Sequence, residues 1–186
     1  AHPIMRNTNF IKNEYYILKN SGVSGSSIFV EEEDVIRFIF LILHLQSPTI
    51  INNVGWYVSS YLKKRSFNIN PKTVSMIARE RQVALLSFKV TPSEFSLIVQ
   101  NLEDGISSVY MQRVLTGYSR YFNSKYKKQG HVFQGPFVAN RIKKQDLKKV
   151  ISDNHKTEGE KMQYSSRDDY KNSKNSRWGD LLKILS

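Results

Sequence analysis

The chain has 186 residues, 40% apolar and 24% charged, which suits one soluble domain large enough to bury its own core. It has no cysteine, so disulfides and thiolate metal sites are excluded, and its longest apolar run, Phe38 to Leu43, is far short of the roughly 18 residues of a membrane span. Twenty-eight Lys and Arg against 16 Asp and Glu give a net charge of +12, an excess that favours a polyanionic partner, nucleic acid first among them. No apolar stretch of signal-peptide type occurs near the first residues, so the cytoplasm is the expected compartment.

Tyr15 to Leu18 reads as a β-strand, closed by the turn residues Asn20, Ser21 and Gly22. Glu31 to Asp34 then lead into Val35, Phe38, Ile39, Ile42 and Leu45, which recur at helical spacing. Acids in a first turn complement the helix dipole, so a buried helix is predicted here, with His44 as a structural residue on it. Between residues 47 and 80 the pattern is weaker. Trp56, Tyr57 and Tyr61 suit a short helix, and Pro71 opens another over Lys72 to Arg81.

Val83 to Val90 reads as a strand, interrupted by Thr91, Pro92 and Ser93. Glu94 to Val99 alternates, with Phe95, Leu97 and Val99 on one face and Glu94, Ser96 and Ile98 on the other, so these two runs form a hairpin in the middle of a sheet. Ile106 to Tyr126 is a long helix whose Tyr110, Val114, Tyr118 and Phe122 mark a core-facing stripe, and Gly130 stops it. Short strands are expected at Val132 to Phe133 and Phe137 to Ala139, followed by a brief basic helix from Gln145 to Ile151.

From Ser152 to Arg177 the composition turns polar, with Met162, Tyr164 and Tyr170 as its few anchors. Trp178, Leu181, Leu182 and Ile184 can dock back on the body. The expected organisation is a nucleic-acid-binding domain over residues 1–151, with a polar C-terminal extension over 152–186 packed on the same domain. The expected fold class is α+β, an antiparallel sheet with helices packed on one face.

The positive charge is uneven. Residues 110 to 150 hold ten basic residues against the single acid Asp146, nine of the twelve net charges in less than a quarter of the chain. Arg113, Arg120, Lys125, Lys127 and Lys128 belong to the long helix and its end. Arg141, Lys143, Lys144, Lys148 and Lys149 follow it. With His131 and Gln134 in the intervening loop, these are the candidate nucleic-acid-binding residues. Tyr121, Phe122 and Tyr126 interleave with the cations, a pattern that can stack bases and hold phosphates. The four histidines show no metal-ligand spacing, and His2 and His155 have no visible partner.

Several segments, in order, resemble the REP-associated single-tyrosine transposases. Tyr118 to Tyr126, YSRYFNSKY, is close to the family signature "YtrYFNrkY", and Gly130 to Phe137, GHVFQGPF, is close to "GhlFQGrF". Tyr15 to Asn20 resembles the first strand, Ile28 to Asp34 the start of the first helix, Gln100 to Ser107 the lead into the central helix, and Tyr164 to Tyr170 a late "WSSyrdY" element. The likeness spans about residues 14 to 170, apart from 47 to 80. It implies a ferredoxin-like fold and a DNA-hairpin substrate.

The departures concern catalysis. The family's metal site is a His-hydrophobic-His pair within "MPNHVHLL". Thr91 to Ile98 matches that run through Pro92, and the two histidines are replaced by Glu94 and Ser96. Paired imidazoles hold an ion that polarises the scissile phosphate, whereas one carboxylate and one hydroxyl are a poor substitute. The nucleophilic tyrosine of "YIHxNP" falls at Asn154, or at Asp153 with a shift of one. Neither forms a phosphotyrosine link.

The leading reading is therefore a domesticated, catalytically inactive transposase-like protein that binds structured nucleic acid, hairpin DNA or folded RNA, through a basic face. No metal, cofactor or membrane is expected, and a homodimer or larger assembly stays open. One alternative is an active nuclease or transposase with Glu94 holding metal and Tyr164 or Tyr170 attacking. Another is a structural subunit of a protein or ribonucleoprotein assembly.

Overall fold

The structure, a computed structural model, describes residues 9–156 and 164–185. His2 and Met162 lie outside the described residues. Strand β1 (Tyr15–Ser21) leads to helix α1 (Glu32–His44), then to α2 (Val54–Lys64) and α3 (Pro71–Arg79). The hairpin β2 (Val83–Val90) and β3 (Glu94–Asn101) follows, then α4 (Ile106–Tyr126), β4 (Val138–Ile142), α5 (Leu147–Asn154), β5 (Tyr164–Ser165) and α6 (Arg167–Lys171). The sheet order is β4-β1-β3-β2-β5, with every neighbouring pair antiparallel. The first four strands, with α1 and α4 as crossovers, make the β-α-β-β-α-β arrangement of a ferredoxin-like fold.

Period-two alternation decides what each face of the sheet meets. Tyr16 and Leu18 of β1, Phe88 of β2 and Leu97 and Val99 of β3 join the main core with α1 and α4. Ile98 of β3 and Ala84 and Leu86 of β2 face the other way, into a smaller apolar cluster closed by Leu147 and Ile151 of α5. Thus α1 and α4 take one face, as the sequence predicts, and α5 adds a cover to part of the other.

Two tyrosines lock the long helix to its neighbours. Tyr110 Oη donates to the Ile42 carbonyl at 2.5 Å, and Tyr118 Oη donates to the carbonyl of Ile28. Burial of both rings without those acceptors would cost the full desolvation of each hydroxyl.

A bulge between Leu85 and Ser87 of β2 frees backbone groups at Leu85. The Gln46 side chain accepts from Leu85 N at 2.7 Å, and Lys183 N donates to the Leu85 carbonyl at 2.9 Å. Gln46 Nε2 reaches the Leu181 carbonyl as well, at 2.6 Å, so the last segment is tied to the bulge.

One local expectation fails. Val132 and Phe133 are not a strand; Phe133 makes only an isolated bridge with Gly22. Gly135 has φ +97° and Pro136 follows it, so the chain turns before pairing can extend, and the strand forms at Val138–Ile142. The polar C-terminal stretch gives β5, which pairs with the free edge of β2, and Trp178 and Leu181 sit in the main core.

Candidate nucleic-acid interface

The side of the sheet not covered by α1 and α4 carries an open pocket of about 520 Å³. Its floor crosses four strands. Val138 of β4 pairs with Lys19 of β1, Lys19 with Ser96 of β3, and Ser96 with Lys89 of β2. Side chains at matched register on adjacent strands share a face, so these four form one row. Val150, Asp153 and Asn154 of α5 border the row, as do Gln134 and Pro136 of the 130–136 loop.

The positions singled out by the motif comparison converge here. Glu94, Ser96, Asp153 and Asn154 all line the pocket, although 58 residues separate Ser96 from Asn154. Ser96 Oγ donates a hydrogen bond to Asn154 Oδ1, while Asn154 Nδ2 is buried without a partner among the described residues. The neighbouring residue explains why α5 ends at this spot. His155 Nε2 sits 3.0 Å from Ser87 Oγ and 2.7 Å from Ser166 Oγ, with its ring edge-on to Tyr170. Burial first, then the nearby Arg167 charge, push the His155 pKa down to about 4, so the imidazole is neutral. The expectation that His155 has no partner is thereby corrected: it anchors α5, and the anchoring delivers Asn154 onto Ser96.

These groups do not fit a divalent cation. Hard cations require several oxygen ligands, and among the described residues no group of three His, Cys, Asp or Glu is placed to hold a metal. Asp153 is ion-paired with Lys156 at 2.8 Å, and Lys19 and Lys89 stand on either side of Ser96. No tyrosine lines the pocket among the described residues. Tyr170 Oη donates to the Leu86 carbonyl at 2.6 Å, and Tyr164 lies near Glu32 at the start of α1, with burial and that carboxylate raising its pKa.

The sequence-predicted cations divide into two kinds. Lys125 is consumed by the fold. It reaches Asp34 Oδ1 and Glu31 Oε2, both at 2.8 Å, and Glu33 Oε2 at 3.4 Å. Tyr121 and Tyr126 donate to the same Asp34 carboxylate at 2.6 and 2.5 Å, so the aromatic–basic interleaving of this segment builds a polar hub rather than a stacking platform. Burial raises the Asp34 pKa, but the hydrogen bonds from Lys125, Tyr121, Tyr126 and the Glu31 backbone outweigh it and hold the carboxyl below its usual value. Arg113 is also spent internally: its guanidinium donates to the Ser47 and Leu45 carbonyls at 3.0 and 3.4 Å, satisfying the end of α1.

Arg120 and His131 line a groove between α4 and the 130–136 loop, and Pro136 is shared by that groove and the pocket. Lys127 and Lys128 are exposed at the end of α4, and the Lys128 ammonium lies 5.5 Å from the Phe122 ring centre. Lys143, Lys144, Lys148 and Lys149 are exposed at the β4–α5 turn and along α5. Arg141 is exposed on the edge strand but paired with Glu14 at 2.9 Å. Gln134 serves the loop itself: its Oε1 accepts from Ser24 N at 2.6 Å, and its backbone N–H donates to the Ser21 carbonyl. Lys19 and Lys89 were missed by sequence reasoning. A lone lysine inside the otherwise apolar and small-residue run VALLSFKV was the available signal.

No helix among the described residues is long and apolar enough to cross a membrane. No family model and no curated protein matches the chain. A solved structure of a REP-associated tyrosine transposase bound to a REP hairpin matches at 11% sequence identity and a TM-score of 0.46, over 78% of this chain and 66% of the length of that one. At that TM-score the likeness carries no argument about the pocket, whose reading rests on the residues that line it.

Proposed function

We propose that this chain is a catalytically inactive, transposase-like scaffold that binds structured nucleic acid, hairpin DNA or folded RNA. Binding runs along the pocket, the 130–136 loop and the exposed lysines of α5 and the α4 end. The observation that carries the reading is the meeting of Ser96 with Asn154 beneath α5. Two positions that the resemblance matches to a metal ligand and to a nucleophile, far apart in sequence, share one pocket and one hydrogen bond. In support of the reading, no tyrosine lines the pocket and no group of three His, Cys, Asp or Glu is placed to hold an ion, among the described residues.

An amide is not a nucleophile, and a serine hydroxyl with no base beside it is a weak one. The surrounding surface is suited to phosphate contacts, which fix position without reading sequence. Recognition then depends on the shape of the folded strand, as is usual for structured RNA and hairpins. Mobility shift with hairpin DNA and hairpin RNA tests the proposal. Affinity for at least one should fall steeply with salt, should persist in EDTA, and should leave no covalent protein–nucleic acid band on a denaturing gel. Salt-independent binding, or a covalent band formed with Mg²⁺ or Mn²⁺, would overturn it.

A further inference from the structure

The pocket row contains more than a vanished catalytic site. Lys19 and Lys89 lie on β1 and β2, one strand to either side of Ser96. Strands are about 4.8 Å apart, so the two lysine backbones are separated by roughly 10 Å. Their long stems let both ammonium groups converge on one group seated above Ser96. Lys89 is half-buried, and its Nζ donates to the Lys156 carbonyl at 3.0 Å, which holds it against the wall. Lys19 is exposed, and its ammonium makes no hydrogen bond or ion pair among the described residues. Asn154 Nδ2, buried and without a partner among the described residues, is a further donor that a small turn of its side chain would bring to the same place.

Two carboxylates also line the pocket, and neither reverses its sign. Asp153 is neutralised by Lys156. Glu94 is exposed at the rim, paired in register with Ser21 rather than with the Lys19–Ser96–Lys89 row. One unpaired carboxylate stands against two lysines, so the pocket favours an anion. A tetrahedral oxyanion takes several donors from different directions, which two ammonium groups and the Asn154 amide provide, the Ser96 proton being already given to Asn154 Oδ1.

We infer that this pocket is a metal-independent site for one nucleic-acid phosphate group, gripped by Lys19 and Lys89 above Ser96 and Asn154. Ammonium groups, that of Lys89 held in place by the Lys156 carbonyl, take the part that a bound ion would otherwise play. The inference rests on the nucleic-acid-binding reading above and adds to it a specific seat for the backbone.

Two measurements test it. Inorganic phosphate is titrated, in EDTA, into ¹⁵N-labelled protein. Saturable shifts are expected at the Ser96 backbone amide and the Asn154 side-chain amide, and they should disappear in the double variant Lys19→Gln/Lys89→Gln, whose remaining spectrum reports that it folds. No response at Ser96 and Asn154, or an undiminished response in the double variant, overturns the inference.

Hairpin binding is then compared by fluorescence anisotropy. The double variant should bind about tenfold more weakly than the native chain, with a log–log salt slope shallower by about two. A double variant that binds hairpin as the native chain does overturns the pocket and leaves the nucleic-acid reading standing. A native chain that responds to phosphate but binds no hairpin overturns the nucleic-acid reading, and with it the identity of the ligand.

Discussion

Asp34 receives five hydrogen bonds, from the backbone of Val30 and Glu31 and from Tyr121, Tyr126 and Lys125. It joins the start of α1 to the end of α4, and it explains why a tyrosine-rich basic segment here is structural. Three buried groups set the response to acid. His44 and His155 both have pKa values pushed down to about 4, chiefly by burial, and His44 Nε2 has no hydrogen-bond partner among the described residues. Both are neutral in the folded chain, while an unfolded histidine takes up a proton near pH 6.5. Their contribution is therefore full above pH 6.5 and is lost as pH falls toward 4, at up to about 1.4 kcal/mol per pH unit for each. Asp34 adds a second stage: its folded pKa lies below the unfolded value of about 3.9, so its contribution is present above that value and disappears below it. Urea unfolding followed across pH should show stability falling between pH 6.5 and 4.5, and again below pH 4. A flat profile from pH 6.5 to 4.5 would contradict the buried neutral histidines.

At the scale of elements, the C-terminal segment is a brace. Trp178 stacks with Tyr61 at 5.6 Å and Phe67 at 5.9 Å, and its Nε1 donates to Asp169 at 3.1 Å. Arg177 pairs with the same carboxylate at 2.8 Å. This closes β5 and α6 against α2 and the 64–70 loop. Replacing Trp178 by Ala should cost about 3–5 kcal/mol in urea unfolding, the usual loss for a buried aromatic. A loss under about 1 kcal/mol would mean that the segment is not part of the cooperative unit.

Much of this element order was legible in the chain. The four-residue stripe from Tyr110 to Phe122 marked α4, and the alternation from Glu94 to Val99 marked β3, because both patterns are local. The strand expected at Val132 was not formed, since the backbone conformation at Gly135 and the pairing of Phe133 with Gly22 depend on contacts across the fold. The fates of Lys125 and Arg113 were illegible for the same reason: Asp34 and the carbonyl of Ser47 lie 91 and 66 residues away.

Over the whole molecule, a ferredoxin-like body holds a row of side chains on one sheet face and uses α5 to complete it. Glu94, Ser96 and Asn154, singled out by motif comparison, line one pocket of the fold. Motif comparison did not place Lys19 and Lys89, which become neighbours of Ser96 only through strand register. A pocket that holds an anion makes Glu94 a hindrance rather than a ligand. Hairpin affinity of Glu94→Gln against the native chain, measured by anisotropy with EDTA and with Mg²⁺, is the most direct test. Removing a rim carboxylate beside a bound phosphate should strengthen binding several-fold, equally in both conditions. Weaker binding, or a Mg²⁺ enhancement in the native chain that the substitution abolishes, would contradict a metal-free phosphate seat.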